Sequence, residues 1–143
     1  MNKIEEEMQQ KYIEYQVTKQ QLNTLAEQHA MVNQKVEEIT ATINSIKDLK
    51  TLKKGDEVLT PLGSGVYIKT EVTEPKAVLI PIGMEITAKE THENAIAHIE
   101  KNLKEINEID KKINKEITIH TERMSAQEIE LQKMIENHEK HKK

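Results

Sequence analysis

The chain has no cysteine, tryptophan or phenylalanine, and only three tyrosines among its 143 residues. Without cysteine there is no disulfide framework and no thiol chemistry, which fits a reducing, cytoplasmic setting. Large aromatics usually supply much of a globular core, so the core here must be thin. Glycine and proline are scarce too: four Gly and three Pro, all inside residues 55–83. No run approaches the ~18 apolar residues of a membrane-spanning helix. The opening Met-Asn-Lys-Ile-Glu-Glu-Glu has no apolar signal region, so a soluble chain is expected.

Chemistry-bearing patterns are missing as well. The sequence contains no GxGxxG, Walker, HExxH or GxSxG arrangement. Gly63-Ser-Gly65 is too short to cradle phosphate. His138 and His141 are close at helical spacing, but no cysteine accompanies them and they sit at a tail expected to fray. No catalytic residue, metal site or cofactor is expected, and the chain reads as a non-enzyme. The net charge is −4, and lysines interleave with glutamates without forming a basic stripe, which argues against a nucleic-acid partner.

What the chain does have is two heptad arrays. In the first, position a falls on Met1, Met8, Tyr15, Leu22, His29, Val36 and Ile43. Position d falls on Ile4, Lys11, Thr18, Leu25, Val32, Ile39 and Ile46; eleven of these fourteen are apolar. The second runs through Ile96, Leu103, Asp110, Ile117, Met124, Leu131 and His138, with Ile99, Ile106, Ile113, His120, Gln127, Met134 and His141; nine of these fourteen are apolar. A sustained period of 3.5 marks a coiled-coil seam. Residues 1–51 and 91–143 therefore read as two long helices, the first about 75 Å in length at ~1.5 Å per residue. Thr91 is the expected N-cap of the second helix. Ser125-Ala-Gln-Glu128 matches a capping box, so a kink or restart near Met124 is the alternative to an unbroken helix.

Residues 52–90 differ in kind. Residues 58–60, 66–72, 77–80 and 84–88 are rich in β-branched side chains and read as four short strands. Turns are expected at 63–65, 73–76 and 81–83. The run Ala77-Val-Leu-Ile80 is apolar almost throughout, which predicts burial on both faces. Two isolated hairpins bury too little to be stable and leave open edges. The strands are therefore expected to complete a sheet or barrel with other subunits.

The insert lets the second helix run back along the first. In one plausible antiparallel register Ile46 faces Ile96, Ile43 faces Ile99, Ile39 faces Leu103 and Val36 faces Ile106. Further out, Val32 faces Asp110, His29 faces Ile113, Leu22 faces His120 and Tyr15 faces Gln127. The arms should be tight beside the insert and looser toward the termini, because a polar seam residue is destabilising unless paired or hydrated. Tyr12, Ile13, Val17, Ile119, Ile129 and Ile135 lie off the seam. Together with flexible methionines they suit adaptable binding.

The order helix, two hairpins, helix, with Leu59-Thr-Pro-Leu-Gly-Ser-Gly-Val-Tyr-Ile-Lys69 and Val78-Leu-Ile-Pro-Ile-Gly-Met-Glu-Ile86, resembles the prefoldin family. The paired segments Pro61-Leu-Gly63 and Pro81-Ile-Gly83 carry the resemblance, which covers the whole chain as a single domain, 1–143. Two hairpins rather than one make it similar to alpha-type subunits, and the plain chain is similar to archaeal ones.

The resemblance implies a mainly α fold: an antiparallel coiled-coil hairpin whose β insert joins an oligomeric barrel. It further implies an α2β4 hexamer with beta subunits and ATP-independent holding of unfolded clients at the coiled-coil tips. Delivery to a group II chaperonin would follow, and filament-forming relatives leave self-assembly open. On that reading client contact falls to Ile4, Met8, Tyr12, Ile13, Tyr15, Met124, Ile129, Leu131, Met134 and Ile135. Oligomerisation falls to Val58, Leu62, Val66, Ile68, Val72, Val78, Ile80, Ile82 and Ile86. The competing reading is a coiled-coil scaffold or tether that oligomerises through its β insert.

Overall fold

A computed structural model describes residues 2–142; Met1, the first seam position, and Lys143 lie outside it. Helix α1 spans Lys3–Leu49, four strands follow as β1 (Glu57–Gly63), β2 (Val66–Glu71), β3 (Ala77–Gly83) and β4 (Ile86–Thr91), and α2 spans His92–Lys142. The fold is thus two long helices flanking a two-hairpin insert.

The helix ends follow local chemistry. Asn2 caps α1, its Oδ1 accepting from the Glu5 amide at 2.9 Å. Thr91 caps α2, its Oγ1 accepting from the Asn94 amide at 3.1 Å. The alternative of a restart near Met124 is not realised, since α2 runs unbroken through Ser125. The helix also takes in the tail from His138 and reaches Lys142.

Each hairpin is its own two-stranded antiparallel sheet. Their registers are the same pattern twenty residues apart: Val58 opposite Thr70 and Pro61 opposite Tyr67, then Val78 opposite Glu90 and Pro81 opposite Thr87. Each carries a bulge just after its proline, between Pro61 and Gly63 and between Pro81 and Gly83. The expected turn at 81–83 therefore belongs to β3, and the turn falls on Met84 and Glu85, both with positive φ. Proline is tolerated because these are edge strands, where no second neighbour needs its missing N–H. Val72, expected to end β2, lies just beyond it, where its amide donates to the Asp56 carbonyl at 2.9 Å and its carbonyl accepts from Gly55.

The chain divides into two compact units. The body unit, Lys35–Ile106, holds the apolar core: Ile39, Ile43 and Ile46 of α1, Ile80 of β3, and Ala95 and Ile96 of α2. Val78, Ile99, Leu103 and Ile106 pack against it. Of the two faces of β3 expected to be buried, the single chain covers one. Ile80 is 6% exposed and Val78 half-buried, whereas Leu79 between them is 68% exposed. Alternate side chains of a strand point to opposite faces, and only one face of β3 meets the helices.

The arm unit comprises the residues up to Gln34 and from Asn107 onward. Its seam follows the heptad rows. Met8, Lys11, Tyr15, Thr18, Leu22, Leu25, His29 and Val32 are covered or half-covered on α1. Asp110, Ile113, Ile117, His120, Met124, Gln127, Leu131, Met134 and His138 are half-covered on α2, while Ile4 and His141 are exposed. No described apolar side chain of this unit is as buried as the body core, and Thr18 is its one buried residue among those described.

Candidate functional site

Two surfaces stand out, one in each unit. In the body, the β1–β2 hairpin has little of its own chain covering either face. Leu59, Leu62, Val66, Tyr67 and Ile68 are all more than half exposed. The β3–β4 hairpin adds Leu79, Ile82, Met84 and Ile86. Cross-strand polar pairing helps hold the first hairpin, with Thr60 Oγ1 and Thr70 Oγ1 2.7 Å apart. A lone hairpin of this kind is marginal in water, and its open edges offer unpaired backbone groups.

The nine candidate assembly residues divide by environment. Leu62, Val66, Ile68, Ile82 and Ile86 lie on the open surface, and Val58, Val72 and Val78 are half-buried. Ile80 is taken up inside the chain's own core and is not available to a partner. Leu59, Tyr67, Leu79 and Met84 were not among the candidates. Strand alternation with Ile80 placed inward would have pointed to Leu79.

Beside Pro81 the body also has an open cleft of about 400 Å³ lined by Ile39, Thr42, Ile99 and Ile106. Lys35, Glu38 and Glu105 stand at its rim.

In the arm, the ten candidate client residues also fall into two groups. Ile4, Tyr12, Ile13, Ile129 and Ile135 are exposed. Met8, Tyr15, Met124, Leu131 and Met134 are half-covered seam residues. Val17, Met31, Ile109 and Ile119 add further exposed apolar surface. Heptad position alone separates most of these, since the exposed ones other than Ile4 fall at positions other than a and d.

Polar contacts tie the two arm helices together. The Tyr15 hydroxyl donates to Glu128 Oε1 at 2.9 Å, which pushes its pKa up. Lys11 Nζ lies 3.4 Å from Glu130 Oε1, and the nearby Glu130 and Glu14 carboxylates raise its pKa. His138 Nε2 is 3.9 Å from Glu5 Oε1. These contacts agree with the antiparallel register expected from the heptads.

One detail of that register is corrected. Val32 and Ile113 were expected as the partners of Asp110 and His29, leaving each polar residue against an apolar one. Instead His29 Nδ1 lies 2.7 Å from Asp110 Oδ1. The a positions of the two helices lie diagonally across neighbouring seam layers, so their side chains can meet.

Among the described residues no group of three or more His, Cys, Asp or Glu could hold a metal ion. No described helix is long and apolar enough to cross a membrane.

Two helices paired along a polar-punctuated seam and joined by two exposed hairpins define the class: a long coiled-coil protein with a two-hairpin β insert. Comparison with known proteins agrees. The model of the family described as "Prefoldin subunit" matches residues 18–137, and the chain belongs to the prefoldin family.

Two relatives are each called prefoldin subunit alpha. That of Methanosarcina acetivorans is 27% identical over 137 residues, covering 94% of this chain and 96% of the relative. That of Methanococcus maripaludis strain C7 is 26% identical over 114 residues, covering 80% of this chain and 77% of the relative. The cryo-EM structure of filamentous prefoldin from Methanocaldococcus jannaschii shares the fold. Its TM-score is 0.69 at 22% identity, covering 78% of this chain and 92% of that one. Family membership supports a role as a prefoldin chaperone subunit.

Proposed function

We propose that this chain is an alpha-type prefoldin subunit that joins beta-type subunits through its two hairpins, with α2β4 as the stoichiometry. The complex holds unfolded polypeptides on the exposed apolar residues of its arms, without nucleotide, and passes them to a group II chaperonin in the cytoplasm. The observation that carries the assembly half is the β1–β2 hairpin, whose Leu59, Leu62, Val66, Tyr67 and Ile68 are more than half exposed. A hairpin so bare gains its stability from strands and side chains supplied by other subunits. The holding half rests on Ile4, Tyr12, Ile13, Ile129 and Ile135, which are exposed outside the seam's own packing. Each such contact contributes only about 1–2 kcal/mol, so several arms acting on one client are needed for useful avidity.

The test is to mix the chain with candidate beta subunits and measure mass by light scattering, then aggregation of a thermally unfolding client with and without ATP. Assembly with nucleotide-independent suppression is expected. A complex that forms but never suppresses aggregation would return the chain to the scaffold reading.

A further inference from the structure

We propose that a four-residue polar cluster in the arm, Asn33–His29–Asp110–Asn114, specifies that the arm contains two helices and no more. His29 and Asp110 both occupy a positions. Their side chains remain 34% and 20% exposed, so the pair sits at the water's edge of a two-helix seam. His29 Nδ1 is 2.7 Å from Asp110 Oδ1. The outer atoms of the pair are also engaged. Asn33 Nδ2 lies 3.1 Å from His29 Nε2, and Asn114 Nδ2 donates to Asp110 Oδ2 at 3.3 Å. With the ring proton on Nδ1, His29 donates to the carboxylate and accepts from Asn33. Both ring nitrogens and both carboxylate oxygens then have partners.

This satisfaction depends on strand number. One His29 helix against one Asp110 helix closes the cluster and leaves it hydrated. Adding a third or fourth helix would cover the open edge and strip that water away. Burying an ion pair or a polar group more deeply is unfavourable, and a polar residue at an a position is known to set oligomer state at some expense in stability.

There is something to be specified against. Tyr12, Ile13, Val17, Ile119 and Ile129 are exposed on the same arm and would otherwise draw neighbouring arms into a larger bundle. The neighbouring seam residues Leu25, Val32, Ile113 and Ile117 are apolar and would tolerate such a bundle. Keeping arms separate leaves that apolar surface free, a consequence that rests on the client-holding reading; the strand-number claim itself does not.

The experiment exploits the absence of cysteine. In the full-length chain the exposed Gln16 is replaced by cysteine and labelled with pyrene, whose excimer emission reports arms of different chains in contact. The label is placed in three backgrounds: unaltered, His29→Leu with Asp110→Leu, and His29→Asn with Asp110→Asn. The leucine pair should raise the melting midpoint and increase excimer emission about tenfold, as arms coalesce. The asparagine pair, which keeps a hydrogen-bonding seam, should match the unaltered arm in excimer emission. The proposal is overturned if the leucine pair shows no rise in excimer, or if it melts lower than the unaltered chain. It is also overturned if the asparagine pair coalesces to the same extent as the leucine pair. Client holding that persists after the leucine-pair arms coalesce would count against the functional reading while upholding the strand-number claim.

Discussion

His29 and Asp110, 81 residues apart in sequence, meet across the arm seam with Nδ1 and Oδ1 separated by 2.7 Å. Two residues that would each weaken an apolar seam alone become one satisfied layer. Removing either partner leaves the other half-covered in the seam with only its asparagine neighbour as a partner. His29→Ala or Asp110→Ala should therefore destabilise the arm by about 1–3 kcal/mol. Hydrogen exchange at arm amides should speed up, while body amides stay protected. Equal protection in both variants would show that the pair contributes nothing to the arm.

The body core predicts a different pattern. Ile43 is buried among Ile39, Ile46, Ile80 and Ile96. Ile43→Ala should reduce stability by about 2–4 kcal/mol through lost burial and the cavity left behind. Ile13→Ala, at an exposed position off the seam, should change it by less than about 0.5 kcal/mol. Chemical denaturation of both variants makes the comparison.

Assembly should be separable from folding. Leu59 and Leu79 are exposed and lie outside the core, so Leu59→Asp with Leu79→Asp should leave the helical circular-dichroism signal intact. The same pair should abolish the oligomer in light scattering, because uncompensated burial of charge in an interface is strongly unfavourable. Ile80→Asp is a poor test, since it strikes the chain's own core. An oligomer that survives the Leu59/Leu79 pair would place assembly elsewhere.

Holding should likewise divide the arm residues. Serine at the exposed Tyr12, Ile13, Ile129 and Ile135 should reduce suppression of client aggregation with little change in melting. Serine at the half-covered Leu131 and Met134 should instead lower the arm's stability. The reverse assignment, with seam variants losing only holding, would mean that the seam opens to admit clients.

Alkaline pH should loosen the arm. Tyr15 is held above its ordinary pKa chiefly by its hydrogen bond to Glu128, and Lys11 chiefly by the charge of Glu130. Both groups bind their protons more tightly in the folded arm than in the unfolded chain. Their stabilisation is thus complete below about pH 10 and fades as pH rises through the higher folded values. Glu93 has the opposite sign. Its lowered pKa, set first by a backbone hydrogen bond and then by Lys50, contributes above about pH 4.3 and is lost on acidification. Thermal melts at pH 9 and 11 should differ less for Tyr15→Phe with Lys11→Met than for the unaltered chain.

The heptads by themselves determined the two helices and nearly every covered position of the arm, because a coiled-coil seam is a one-dimensional code of spacing, and the short insert between them gave the antiparallel pairing. Gly and Pro placement likewise located the insert and its two hairpins. Four features required the tertiary structure. The capping-box pattern at Ser125 suggested a break, yet an unbroken α2 satisfies the backbone there through its own hydrogen bonds. The turn of the second hairpin moved to Met84 and Glu85, because the bulge after Pro81 carries β3 on to Gly83. The inward and outward faces of β3, and the meeting of His29 with Asp110, depend on how separate segments are placed in space. Side-chain spacing along one strand or helix gives a period, but which face meets a neighbour, and which diagonal partner is within 3 Å, is settled only when the segments pack.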